Sequence, residues 1–213
     1  MKNLAKIKIC GLRREEDIQY VNEYRPDYIG FILSKGFRRT VTKEQAAHLR
    51  SLLSPPIIPV GVFVNEDIER VIELVQEGVI DVVQLHGDED ENYIKQLREN
   101  TKEITIIKAI KIANADDVKS GLQSSADYLL FDKRSENQVG GTGTAFDWNL
   151  IKDVKRPFFL AGGIGLENVN RALEATNPYG IDVSSGVETD GCKDKAKIKE
   201  IINTIRNAKA LIV

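Results

Sequence analysis

Two residues that could exchange protons, Cys10 and Asp132, each stand at the end of a short apolar run. Cys10 closes the run Lys-Ile-Lys-Ile-Cys, and Asp132 closes the run Tyr-Leu-Leu-Phe-Asp. A thiol, with an ordinary pKa of about 8.5, can act as a general base when its surroundings are positive. A carboxyl group can act as a general acid when burial or nearby negative charge favours its protonated form. The structural alternatives are an inert buried cysteine and an aspartate that caps a helix or pairs with Lys133 or Arg134.

Glycine- and serine-rich turns follow the last three apolar runs of the chain, and they predict a phosphate site. Glycines let backbone N–H groups approach an anion, and a helix N-terminus adds a favourable dipole. The alternative is that these turns are tight and need glycine for their geometry alone. The candidate phosphate-binding residues are Gly143, Gly162, Gly163, Ser184, Ser185 and Gly186.

Eight apolar runs alternate with amphipathic stretches along the chain. The runs lack in/out polarity, which is typical of strands covered by helices on both faces. Helical periodicity is clear in Thr42–Leu53, which begins with a capping-box pattern, in Glu66–Glu77 and in Asp194–Ala208, and it is weakest in Ala113–Ser125. The predicted strands are Lys6–Cys10, Tyr28–Leu33, Pro59–Val64, Val82–His86, Ile106–Ile112, Tyr128–Asp132, Phe158–Gly162 and Gly180–Ser184.

This alternation predicts an α/β fold in which residues 1–213 form one catalytic domain, a (β/α)8 TIM barrel. An open doubly wound sheet is the alternative, but no Gly-x-Gly-x-x-Gly follows the first strand. Barrel enzymes build their sites at the C-terminal ends of the strands. Cys10 and Asp132 should therefore face each other across the barrel mouth with the phosphate site between them, as in an isomerase.

The composition of the 213-residue chain, with 42% hydrophobic and 29% charged residues and a net charge of −2, is that of an ordinary globular domain. Without a strong positive field, neither nucleic acid nor an anionic membrane is the expected partner. We expect no signal peptide, no membrane span and, with two cysteines, no disulfide framework, which together predict a cytoplasmic protein. The mouth holds one histidine, His86, so no metal site is predicted.

Six segments, taken in order at the predicted strand ends, resemble the phosphoribosylanthranilate isomerase family. They are KICGL (8–12), VGVFVN (60–65), VQLHG (83–87), GGTGTAFDW (140–148), AGGI (161–164) and DVSSGVE (182–188). The resemblance implies a step of tryptophan biosynthesis, the Amadori rearrangement of N-(5'-phosphoribosyl)anthranilate to 1-(2-carboxyphenylamino)-1-deoxyribulose 5-phosphate. It implies a small phosphorylated substrate, general acid–base catalysis and no metal or organic cofactor.

The resemblance also implies roles for individual residues. Asp132 would protonate the ribose ring oxygen, and Cys10 would remove the proton from C2'. Arg39 would contact the anthranilate carboxylate, with Arg38 as the alternative in the same loop. Asp182 and His86 would lie near the substrate, although His86 could instead only hydrogen-bond within the barrel. The loop over residues 133–141 would close over the substrate.

Three other functions are weighed against this one. A histidine-pathway aminoaldose isomerase would have aspartate where this chain has Cys10, and it would need a second phosphate site near the third and fourth strands. A ribulose-phosphate epimerase would use paired acids and metal-binding histidines. A non-catalytic phosphosugar-binding barrel would bind its ligand without turnover. Barrels of this size often function as monomers, so a monomer is expected and a dimer is the alternative.

Overall fold

The eight predicted strands are present in the computed structural model, which describes residues 5–133 and 146–208. Their observed bounds are β1 (Lys6–Cys10), β2 (Tyr28–Ile32), β3 (Ile58–Phe63), β4 (Val82–Leu85), β5 (Thr105–Ile112), β6 (Tyr128–Lys133), β7 (Phe158–Leu160) and β8 (Gly180–Val183). All are parallel and close into a barrel in chain order, with β8 pairing back onto β1. The (β/α)8 prediction is confirmed, and the open-sheet alternative is wrong.

The part of the chain that the structure describes contains seven α-helices, of which six connect consecutive strands and the seventh follows β8. They are α1 (Glu15–Tyr24), α2 (Lys43–Ser51), α3 (Ile68–Gln76), α4 (Glu91–Asn100), α5 (Ala115–Gly121), α6 (Val169–Thr176) and α7 (Lys195–Asn207). The capping box predicted at Thr42 forms with Gln45. The weakly predicted helix α5 is real but short, and it begins at a capping box made by Asn114 and Asp117. In the β6–β7 connection the described residues contain a 3₁₀ turn, Trp148–Leu150.

A short antiparallel hairpin stands between β8 and α7. Its strands are β9 (Glu188–Thr189) and β10 (Cys192–Lys193), and they follow a 3₁₀ turn over Ser185–Val187. Asp190 and Gly191 form its tip, both with positive φ. The sequence analysis did not predict this hairpin. Because it follows β8, it lies at the end of the barrel where the C-terminal strand ends meet.

The apolar residues divide into two clusters. The larger one joins the outward faces of the strands to the buried stripes of the helices, for example Ile18 and Val21 of α1. The smaller cluster contains residues of every strand from β2 to β7 and fills the barrel interior. Its residues are Tyr28, Val60, Val82, Ile107, Ala109, Leu130, Phe159 and Ala161.

The opposite end of the barrel, at the N-terminal ends of the strands, is closed by four aromatic residues. We call Tyr28, Tyr128, Phe159 and Tyr179 the aromatic floor. The Phe159 ring makes T-shaped contacts with the other three rings, and the Tyr28 and Tyr179 hydroxyls lie 3.2 Å apart. In the part of the chain that the structure describes, no helix is long and apolar enough to cross a membrane.

Candidate active site

Cys10 and Asp132 stand at the C-terminal ends of β1 and β6, and β7 and β8 lie between these two strands in the barrel. Cys10 is 7% exposed, and Asp132 is partly exposed. The residue after the cysteine, Gly11, has a φ of +81°, which favours glycine. A Cβ on Gly11 would lie 2.9 Å from Cδ of Arg39, so this glycine also makes room for the arginine.

The environment of Cys10 combines burial with positive charge. Lys8, two residues earlier on β1, points to the same face of the strand and is fully buried. Burial raises the pKa of the Cys10 thiol above its ordinary value, while the nearby charges of Lys8 and Lys193 act to lower it. The negative charge of Asp182, like burial, acts to raise the pKa of the Cys10 thiol. Sequence reasoning singled out neither Lys8 nor Lys193.

Asp182, predicted to lie near the substrate, is the partner of Lys8. The parallel register of β1 and β8 sets the two residues opposite each other, and the Lys8 Nζ donates to both carboxylate oxygens at 3.0 Å. Only 7% of Asp182 is exposed. Both charges of this pair therefore lie inside the barrel mouth, directly beneath Cys10.

Asp132 is held by a histidine and by the backbone. Its Oδ2 lies 3.1 Å from Nε2 of His86, and its Oδ1 accepts a hydrogen bond from the Lys133 backbone N–H at 2.7 Å. Nε2 of Gln84 lies 2.8 Å from the other ring nitrogen of His86. When Gln84 donates to that nitrogen, the ring proton sits on Nε2 and points at Asp132. The predicted residues His86 and Asp132 thus meet, and Gln84 was missed.

Arg39 is fixed by hydrogen bonds on one side of its guanidinium group. Its Nη1 donates to Oγ of Ser184 at 2.6 Å and to Oε1 of Glu188 at 2.7 Å. The Ser184 hydroxyl in turn donates to the carbonyl oxygen of Cys10 at 3.0 Å. The Ser184 side chain, predicted to bind phosphate, is thus engaged between Cys10 and Arg39. The Arg39 side chain is 22% exposed, whereas that of Arg38 is 56% exposed.

Glu188 is the centre of a charge cluster in the β9–β10 hairpin. Its carboxylate accepts hydrogen bonds from Arg38, Arg39 and Lys193 at 2.7–2.9 Å. Burial acts to raise the pKa of Glu188, but the hydrogen bond and charge of Lys193, together with the two arginines, lower it to about 2. The carboxylate is therefore ionised at neutral pH and ties the hairpin to the loop that carries Arg39. An Asp-Gly pair at the hairpin tip was the sequence signal for this element.

The turns after β7 and β8 pack directly on each other. Gly162 and Gly163 have φ values of +82° and +70°, and the carbonyl oxygen of Gly163 accepts a hydrogen bond from Nδ2 of the buried Asn168 at 2.8 Å. A Cβ on Gly186 would collide with the carbonyl oxygen of Ile164. Both turns therefore require glycine. Ser185 and Gly163 are exposed, and Gly143 lies outside the described residues.

Gly162 also lies against the candidate acid. A Cβ at this position would be 2.8 Å from Oδ1 of Asp132 and 2.6 Å from the backbone nitrogen of Lys133. The first turn of the candidate phosphate site and the candidate acid are thus in contact. Apart from Lys133, the loop predicted to close over the substrate, residues 133–141, lies outside the described residues.

Histidines, cysteines and acidic residues in the described ranges, 5–133 and 146–208, nowhere form a group of three that could hold a metal ion. His48 is exposed on α2 and lies 2.7 Å from Glu15. Cys192 is a free thiol on β10, 3.7 Å from Nη2 of Arg13. Neither residue belongs to the mouth cluster around Cys10 and Asp132.

The fold defines the class of protein. It is a (β/α)8 barrel with a thiol, a carboxylate and glycine turns at the strand ends where barrel enzymes carry their active sites. The family model described as N-(5'phosphoribosyl)anthranilate (PRA) isomerase matches residues 7–204. The chain therefore belongs to the N-(5'-phosphoribosyl)anthranilate isomerase family, and it is an isomerase. The resemblance carried by the six sequence segments is confirmed.

Individual relatives agree with this assignment. A protein of Endomicrobium trichonymphae named N-(5'-phosphoribosyl)anthranilate isomerase is 46% identical over 204 residues, covering 96% of this chain and all of the relative. The crystal structure of phosphoribosyl anthranilate isomerase from Thermotoga maritima has a TM-score of 0.85 at 34% identity, covering 98% of this chain and all of that one. A further isomerase structure, in complex with reduced 1-(o-carboxyphenylamino)-1-deoxyribulose 5-phosphate, has a TM-score of 0.81 at 32% identity and the same coverage.

Proposed function

We propose that this isomerase catalyses the Amadori rearrangement of N-(5'-phosphoribosyl)anthranilate to 1-(2-carboxyphenylamino)-1-deoxyribulose 5-phosphate in tryptophan biosynthesis. The observation that carries the proposal is the position of Cys10 and Asp132 at the same end of one barrel, with the glycine turns after β7 and β8 between them. Support also comes from the similar structure that holds a reduced form of this product.

The first step opens the ribose ring. The Asp132 carboxyl group gives its proton to the ring oxygen, the C1'–O bond breaks, and the nitrogen lone pair forms a protonated imine. The carboxylate left on Asp132 is then stabilised by the N–H of His86 and by the Lys133 backbone N–H.

The second step moves a proton from C2'. The Cys10 thiolate removes that proton, and the electron pair of the C–H bond forms the C1'=C2' double bond of an enolamine. Positive charge on the imine makes C2' acidic, so the step needs no metal or organic cofactor. The enolamine then takes up a proton at C1' and loses the hydroxyl proton at C2', which gives the ketone. The charges of Lys8 and Lys193 favour the thiolate form that this step requires.

The remaining contacts position the substrate. Arg39 binds the anthranilate carboxylate with the side of its guanidinium group that Glu188 and Ser184 leave unused. Asp182 and His86 lie at the mouth as substrate-binding residues. The phosphate binds at the turns that carry Gly162, Gly163, Ser184, Ser185 and Gly186, with Gly143 added from the loop after β6.

We further infer that residues 1–213 form one catalytic domain that functions as a monomer in the cytoplasm, with a dimer as the alternative. Both cysteines are free thiols, which suits a reducing compartment. Within the described ranges the exposed large apolar residues, Phe37, Leu52 and Leu122, lie in three different connections. Light scattering coupled to gel filtration would measure the mass, and a value near twice 23.8 kDa would favour the dimer. No nucleic acid or membrane partner is proposed.

The direct test generates phosphoribosylanthranilate in situ from anthranilate and phosphoribosyl pyrophosphate and follows the loss of its fluorescence. We expect rapid loss with the wild-type chain and almost none with Cys10→Ala. Binding of the substrate without turnover would instead favour the phosphosugar-binding barrel. Turnover of the histidine-pathway aminoaldose alone would favour that isomerase.

A further inference from the structure

Lys8 is a fully buried lysine, and the mechanism above gives it no contact with substrate. Burying an ammonium group is unfavourable unless charge and hydrogen bonds compensate it. Asp182 supplies that compensation with two 3.0 Å contacts. A pair of apolar residues could fill the same space, and buried ion pairs are weak evidence for stability. The position of Lys8 beside the reacting thiol offers a functional reason for the pair.

The side chains of Lys8 and Cys10 both approach Gly30 on the neighbouring strand β2. Gly30 of β2 pairs with Cys10, and a Cβ on Gly30 would lie 2.7 Å from Sγ of Cys10 and 3.2 Å from Nζ of Lys8. The glycine therefore leaves the space in which the ammonium group and the thiol approach each other. Both side chains belong to the same face of β1, because side chains two residues apart on a strand point the same way.

We propose that Lys8 is a positioning residue of the reaction, whose buried ammonium group holds the Cys10 thiolate in place for proton removal at C2'. This inference rests on the proposed role of Cys10 as the base. Asp182 then has a second task besides lying near the substrate, because it fixes the ammonium group beneath the sulfur. Burial acts to lower the pKa of Lys8, but Asp182 and the Cys10 thiolate raise it above the ordinary value. Lys8 therefore keeps its proton at neutral pH.

Two other positively charged residues, Lys193 and Arg39, lie near Cys10, and both are bound by Glu188. The charge of Lys193 on β10 acts on Cys10, but its Nζ donates to the carboxylate of Glu188 and to the carbonyl oxygen of Ser184, both at 2.9 Å. Arg39 lies one residue further along, against Gly11, and is bound by the same carboxylate. Lys8 differs from both because its Nζ and the Cys10 sulfur approach the same point beside Gly30, and Glu188 does not bind it.

The inference is tested by titrating Cys10 directly, in a manner that does not depend on turnover. Cysteine labelled with ¹³C at Cβ, in a Cys192→Ser background, reports the ionisation of Cys10 through its NMR shift. Lys8→Met combined with Asp182→Asn removes both charges and leaves no unpaired buried ion. We expect the titration midpoint to rise, because Lys8 lowers the pKa of the Cys10 thiol by more than Asp182 raises it.

A second variant and a control keep the test decisive. Asp182→Asn alone leaves the ammonium group and removes the nearby negative charge, so the midpoint should fall. Lys108→Met removes another buried lysine, paired with Glu89 at 2.8 Å on the other side of the barrel, and should leave the midpoint unchanged. An unchanged midpoint in the double variant would overturn the proposal. If that variant does not fold, Lys8→Met alone should raise the midpoint, and an unchanged or lowered midpoint there would overturn the proposal.

The pH dependence of kcat/KM separates this inference from the proposed function. If Cys10 is the base, the acidic limb of the profile should move with the NMR midpoint in the double variant. A shifted midpoint with an unmoved profile would confirm the interaction between Lys8 and Cys10 and would reject Cys10 as the base.

Discussion

Nε2 of His86 lies 3.1 Å from Oδ2 of Asp132, across the mouth from Cys10. Gln84 fixes the other nitrogen of the same ring, and the Lys133 backbone N–H holds the second carboxylate oxygen. The carboxylate therefore has a donor on each oxygen. A group held in this way is ready to stabilise the negative charge left when its proton is transferred.

Asp132→Asn should lower kcat by about 100- to 10,000-fold, because an amide has no carboxyl proton to give to the ring oxygen. Asparagine has the same shape as aspartate, and its side-chain oxygen can still accept the hydrogen bond from the Lys133 backbone N–H. Steady-state rates at several pH values, with circular dichroism to verify the fold, measure the effect. A variant with a near-normal kcat would assign the acid to another residue.

Cys10→Ala should reduce kcat by a similar factor while the barrel stays folded, since alanine removes the sulfur without adding volume. Cys192→Ala is the matched control, because Cys192 is also a free thiol but lies on the β9–β10 hairpin. Its turnover should equal that of the wild type. If both variants turn over normally, neither thiol takes part in proton removal.

Arg39→Ala should act mainly on KM, which we expect to rise by about 10- to 100-fold, the range for losing charged hydrogen bonds to a carboxylate. Arg38→Ala has the same charge change but removes a side chain that is 56% exposed. Its effect on KM should be several times smaller. The opposite order of the two KM values would show that Arg38 is the residue that binds the anthranilate carboxylate.

Gly162→Ala should reduce kcat strongly, because the new methyl group would press on Asp132 and the Lys133 backbone at less than 3 Å. Gly78→Ala is the control for backbone strain alone. Gly78 also has a positive φ, +68°, but a Cβ there meets nothing within 4 Å. Both variants should melt at lower temperature than the wild type, and only Gly162→Ala should lose activity. Equal activities would mean that the acid tolerates displacement.

Glu188 should make the stability depend on pH under acidic conditions. Its pKa in the folded chain is about 2, against an ordinary value of 4.5, so its stabilising effect is complete above about pH 4.5 and is lost as the pH falls toward 2. The contribution is about 1 to 2 kcal/mol, because solvent screens this partly exposed cluster. Urea unfolding at pH 7 and pH 3 measures how much free energy of unfolding is lost on acidification. This loss should be smaller in Glu188→Gln than in the wild type. An identical loss in both would remove Glu188 as its source.

The strand ends could be predicted from sequence because each barrel strand is a short apolar run that stops at a polar or glycine residue. Cys10, Asp132 and His86 were found in this way. The β9–β10 hairpin was missed because two-residue strands carry no apolar alternation. The pairing of Lys8 with Asp182 depends on the register between β1 and β8, which are far apart in the sequence. Local patterns hold no information on such contacts.

The aromatic floor lies at the far end of the barrel from Cys10 and Asp132, with the apolar interior of the barrel between them. Selection can therefore act on thermal stability through the aromatic floor and on substrate preference through the residues at the mouth. Substitutions around Phe159 can adapt the chain to a hotter or colder habitat while the mouth keeps its chemistry. Conversely, a lineage that alters the loops at the mouth to accept another sugar phosphate keeps the packing of the aromatic floor and the barrel interior.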